Sequence, residues 1–192
     1  MISKFKILIV VSTFGLTSIL TSYGSSASNI TRCESTASIA EPKTPRKCRI
    51  FNEVKQVKTM LSKVGIGTLR QWRNDSFGWI SSTPYYSFGS SSFVNGMQNN
   101  LAYYLESESE NYIEKVKIML NINNSSEKYQ AISKFDKISK KTFELLKLKM
   151  PNGLSEAIKS EKKFSSENSE YKVSLVLNRS KIDTWKLTIE AK

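Results

Sequence analysis

Apolar residues recur along this chain with two different periods, and the changes of period mark its elements. Val54, Val57, Met60, Leu61 and Val64 make one helical stripe, which predicts a short amphipathic helix over 53–64. Asn52 stands where a cap belongs, Gly65 where a helix stops, and lysines 55, 58 and 63 take the wet side. The period then falls to two. Residues 68–73 and 77–82 read as strands around the turn formers Asn74, Asp75 and Ser76. A second hairpin pairs 101–105 with 112–122, whose second arm puts Val116, Ile118, Leu120 and Ile122 on one face and Lys115, Lys117, Asn121 and Asn123 on the other.

Asn124 with Glu127 three residues on is a capping-box pattern that opens the longest helix. Its buried stripe is Ile132, Phe135, Ile138, Thr142, Leu145 and Leu146, and Pro151, Asn152 and Gly153 end it. A helical turn over 154–160 follows. Two more alternating runs close the chain: Tyr171, Val173, Leu175 and Leu177, then Trp185, Leu187, Ile189 and Ala191, joined through 178–183. Hairpin connections throughout predict an α+β domain over 50–192. It is an antiparallel sheet of five to six strands, with the N-terminal helix and the long central helix packed on one face.

Composition changes this picture in one region. None of the lysines falls between Lys63 and Lys115, and in their place stand Trp72, Phe77, Trp79, Tyr85, Tyr86, Phe88, Phe93, Tyr103 and Tyr104. Rings suit half-buried pleated surfaces, so the sheet core is the expected place for most of them. Interfaces, however, deplete lysine and enrich aromatics and arginine. The candidate binding surface is therefore Arg70, Trp72, Arg73, Asp75, Trp79, Tyr85, Tyr86 and Phe88, with Trp72 or Trp79 as stacking faces if the ligand is a glycan. Segment 83–100 mixes Pro84, glycines, serines and asparagines with large rings and is expected to be a functional loop.

Charge divides the chain. Residues 64–114 hold Arg70 and Arg73 against Asp75, Glu106, Glu108, Glu110 and Glu114, whereas the whole chain is +12. Such a surplus attracts polyanions, here anionic wall polymer or lipid. Only six of the 29 basic residues are arginine, which argues against specific nucleic-acid recognition.

The N-terminus has the parts of a secretory signal over residues 1–27. Lys4 and Lys6 precede an apolar run from Ile7 to Leu20, and Ser25 and Ala27 stand at −3 and −1 of a cut before Ser28. The run of about 14 residues is shorter than the ~20 a spanning helix needs, so a cleaved signal is preferred to an uncleaved anchor. Export to a periplasm or the medium is the expectation, and the partner is then an envelope or secreted protein, or a glycan. The only cysteines, Cys33 and Cys48, are expected to form a disulfide that staples an irregular arm over 28–49, worth about 3 kcal/mol by loop entropy.

The chain has no histidine. Ser-His-Asp and Cys-His nucleophile systems and histidine-ligated zinc are excluded, and no metal or other cofactor is expected. Ser125, Ser160 and Ser169 each precede a lysine by three positions, a spacing that this density of serine and lysine produces by chance. Paired carboxylates, Asp75 with one of Glu106 to Glu114, leave a small envelope-glycan hydrolase as the alternative to a non-enzymatic binding protein. A third reading is a basic structural component resting on the envelope.

Overall fold

The structure, a computed structural model, describes residues 50–93 and 96–192. The expected signal over 1–27, the arm over 28–49 and the Cys33–Cys48 bridge lie outside the described residues. No described helix is long and apolar enough to cross a membrane.

The fold is α+β. In chain order the elements are α1 (Val54–Ser62), β1 (Arg73–Asn74), β2 (Trp79–Ser82), β3 (Tyr86–Phe88), β4 (Asn99–Ser107), β5 (Lys115–Ile122), a 3-10 turn (Ser125–Glu127), α2 (Lys128–Leu145), α3 (Leu154–Lys159), β6 (Phe164–Glu167), β7 (Tyr171–Asn178) and β8 (Asp183–Ala191). The strands form one antiparallel sheet in the order β1-β2-β4-β5-β8-β7-β6, and β3 pairs with β4 off this path. The long β4 thus has two partners along one edge: β3 against its first residues and β2 against its last.

Period two decides which face each strand buries. Leu101, Tyr103 and Leu105 of β4, Val116, Ile118 and Leu120 of β5, and Trp185, Leu187 and Ile189 of β8 are fully buried. They share one core with Phe135 and Phe143 of α2, Leu154 and Ile158 of α3, and Val57 and Leu61 of α1. Phe135 meets Trp185 edge to face, with ring centroids 6.2 Å apart, and the Tyr103 hydroxyl bonds Thr142 of α2. The intervening residues of β4, β5, β7 and β8 point away from this core and form an open face.

The sheet has eight described strands, more than the five to six expected, for two local reasons. β6 carries a single apolar inward residue, Phe164, so its period was too weak to read. β3 lies within the expected loop, where Tyr86 and Phe88 turn toward the helices and Ser87 turns outward between Pro84 and Gly89. The expected strand over 68–73 contracts to Arg73–Asn74. The turn after it needs a glycine. Gly78 has φ +139°, and a Cβ there would sit 2.8 Å from the Ser107 carbonyl oxygen.

Helix ends differ as well. Helix α1 begins after Glu53 with no side-chain cap, so Asn52 does not perform that role. Asn124 caps the 3-10 turn that precedes α2, accepting the Ser126 amide at 3.2 Å, whereas α2 itself begins after Glu127 with no side-chain cap. Glu127, however, does not turn back to Asn124; its carboxylate takes the Ser90 amide at 2.9 Å. Helix α2 stops before Pro151, because Lys147 adopts a left-handed φ of 55° and the Leu148 amide closes on the Phe143 carbonyl.

Candidate functional site

The expected binding residues fall into two groups on opposite faces of the sheet. Trp72, Trp79, Tyr86 and Phe88 lie on the helix side, half-buried. Trp72 and Trp79 stack on each other, centroids 6.2 Å apart and planes 26° apart, and the Trp72 indole donates to the Glu110 carbonyl at 2.9 Å. Tyr86 and Phe88 stack similarly, and the Lys134 ammonium of α2 lies 4.7 Å from both ring centroids. A cation held over two ring faces covers the rings that the sequence left for a partner.

Arg70, Arg73, Asp75 and Tyr85 remain exposed. The Arg70 amide donates to the Ser82 carbonyl at 3.0 Å, and Ser81 Oγ donates to the Arg70 carbonyl at 2.6 Å. This stitches the coil before β1 onto β2. Arg73 pairs in register with Ile80. Asp75 folds over its own turn, accepting the Phe77 amide at 3.1 Å. With Gln71, Ile80, Ser81 and Ser82, the two arginines and Asp75 line a groove of about 320 Å³. Neither arginine makes an ion pair among the described residues.

The groove opens onto the open face, where sequence reasoning missed several residues. Tyr104 stands opposite Ser82 in the pairing and donates its hydroxyl to that of Tyr85 at 3.3 Å. Burial, and then the Tyr85 hydroxyl beside it, push the Tyr104 phenol up to about 12. Lys117 lies opposite Tyr104 on its other side and is ion-paired with Glu106. The lysine gap in the sequence is therefore no gap in space. Further along the face, the Asn121 amide donates to Asn100 at 2.9 Å and Thr184 Oγ1 donates to Asn121 at 3.1 Å.

The expected carboxylates do gather. Asp75, Glu106, Glu108 and Glu114 line a second groove of about 320 Å³ with Phe77, Trp79 and Lys115. Two of them meet other side chains: Glu106 pairs with Lys117, and Glu114 accepts the Tyr112 hydroxyl at 3.2 Å. No group of three acidic residues suited to a metal ion occurs among the described residues. Alternation in β5 indicates the open face in advance, but not its contacts, since Lys117, Glu106 and Glu190 are strand neighbours that no local motif links. Comparison with known proteins gives no match among family models, curated proteins or solved structures.

Proposed function

We propose that this chain is an exported, non-enzymatic binding protein whose contact surface is the exposed half of the lysine-poor zone. The observation that carries the reading is the pair Arg70 and Arg73, exposed, without ion-pair partners among the described residues, and set in one groove with Ser82, opposite which Tyr104 stands bonded to Tyr85. Guanidinium groups offer planar, paired donors to carboxylates, and tyrosine adds apolar area with a polar tip. The partner is an acidic segment of an envelope or secreted protein. A glycan is the weaker alternative, because Trp72 and Trp79 are half-buried and each gives one ring face to the other.

The test is affinity capture from envelope and culture-fluid fractions, with Arg70→Glu/Arg73→Glu as the parallel bait and Lys186→Glu as a control on the same face. A protein held by the native and control baits but lost with the double substitution supports the reading. Equal capture by all three overturns it.

A second reading, a carboxylate-dependent hydrolase, draws on the gathering of Asp75, Glu106, Glu108 and Glu114 in one groove. Turnover of envelope glycan by the native chain that disappears in Asp75→Asn would favour it over the first.

A further inference from the structure

The two ends of the sheet differ in charge, and the acidic end exposes one large apolar side chain, Phe77, where the basic end exposes three. At one end, where β4 finishes and β5 begins, the loops carry Asp75, Glu108, Glu110, Glu114 and Glu170. At the other end, where β4 begins and β5 finishes, the loops carry Lys162, Lys163, Arg179 and Lys181. The acidic groups at this basic end are already engaged: Glu161 and Asp183 hold Lys128, Glu161 also holds Arg179, and Glu127 is bonded to a backbone amide. Lys162, Lys163 and Lys181 are exposed and make no ion pair among the described residues.

The same basic end exposes large apolar side chains. Phe93 is fully exposed, Tyr129 is 85 % exposed and Met97 is 46 % exposed. Bonds fix the backbone on either side of Phe93, at Gly89 and Ser90 and at Gln98. Glu127 takes the Ser90 amide at 2.9 Å, Asn124 donates to the Ser90 carbonyl at 3.1 Å, Asn123 donates to the Gln98 carbonyl at 2.7 Å, and Gln98 donates to the Gly89 carbonyl at 2.6 Å. Gly89, at φ +77°, permits this clamp, since a Cβ there would overlap the Glu127 carboxylate. Four to five strand spacings of about 4.8 Å set the width of this end at roughly 20 Å.

We infer that the basic end docks on an anionic lipid bilayer, with Phe93 and Met97 entering the headgroup boundary and Lys162, Lys163 and Lys181 over the lipid phosphates. Protein interfaces deplete lysine, whereas membrane surfaces favour lysine beside aromatic and apolar side chains. A soluble wall polymer would satisfy the lysines and offer nothing to Phe93. The inference does not rest on the partner proposed for Arg70 and Arg73, which lie on a different part of the sheet.

The test places a tryptophan reporter at either end of the full chain, as Phe93→Trp and Phe77→Trp, and subtracts the emission of the unsubstituted protein. Vesicles of phosphatidylcholine alone, or mixed with phosphatidylglycerol, carry brominated acyl chains as quenchers. The added emission at position 93 should be quenched on the mixed vesicles and much less on phosphatidylcholine, while that at position 77 should stay unquenched. Adding Lys162→Glu, Lys163→Glu and Lys181→Glu to Phe93→Trp should weaken vesicle binding at that reporter by at least about tenfold, at ~1 kcal/mol per surface charge. No quenching at position 93, equal quenching at both positions, or indifference to the charge reversals overturns the inference. So does binding of soluble polyphosphate through these lysines while position 93 stays unquenched on vesicles, which would make this end a polyanion surface.

Discussion

Tyr103 and Tyr104 are neighbours on β4 and have opposite fates. The first points into the core, fully buried, its hydroxyl bonded to Thr142. The second points to the open face, half-buried, its hydroxyl bonded to exposed Tyr85 and its flank set against Lys117. Composition treats the two alike, and only the strand's alternation separates them. A ring on the inner face contributes stability through packing. A ring on the outer face contributes little, and what it offers is available to a partner.

Substitutions on the two faces should bring out this difference. The largest effect is expected for Phe135→Ala, which empties the space beside Trp185 and should cost about 3–5 kcal/mol in a denaturant titration. Tyr103→Phe keeps the ring and removes the hydroxyl from Thr142, which still donates to the Ile138 carbonyl; about 1 kcal/mol should be lost. Tyr104→Phe and Glu106→Gln act on half-buried groups of the open face, and each should change stability by less than about 1 kcal/mol. If the outer substitutions cost as much as Tyr103→Phe, the open face is covered in the native protein and the comparison fails.

Alkaline pH reads both tyrosines together. Burial pushes both phenols up, Tyr104 to about 12 and Tyr103 further in the same direction. A phenol whose folded pKa is raised stabilises the fold fully below its unfolded value near 10, and that contribution is lost as pH rises through the folded value. Denaturant midpoints should therefore fall between about pH 10 and 12. Tyr104→Phe should flatten part of that fall, and Tyr103→Phe should flatten the part that extends to higher pH. A stability profile that stays level over this interval in the native protein would remove the argument from burial.

Strong periods made most of the fold legible in advance. The stripes of α1 and α2 and the alternation of β5, β7 and β8 follow from a buried face repeating over several turns or pleats. β3 and β6 escaped because three- and four-residue strands bury too few side chains to establish a period. The candidate site was half legible. Arg70, Arg73 and Asp75 do share a groove, as their nearness in sequence suggested. Trp72, Trp79, Tyr86 and Phe88 were grouped with them because interface and core draw on the same ring chemistry, and only Lys134, far away in sequence, covers two of them. Lys117 and Glu106 meet through strand pairing, which no local pattern records.

The sheet is joined at a single seam. Among the described strands, β1 to β4 pair only within the set β1–β5, β6 and β7 pair only within the set β6–β8, and β5 with β8 connects the two sets along Lys115 to Ile122. Thr184 and Asn121, which touch across this seam, are 63 positions apart. Each hairpin set can form from nearby residues, but the seam must close a loop that contains both α2 and α3, and long loops close at an entropic cost that local contacts do not carry. The seam should therefore be the slow step of assembly. Substitutions in the β5–β8 ladder should slow refolding more than those in β6–β7, whose loss should show instead as faster unfolding.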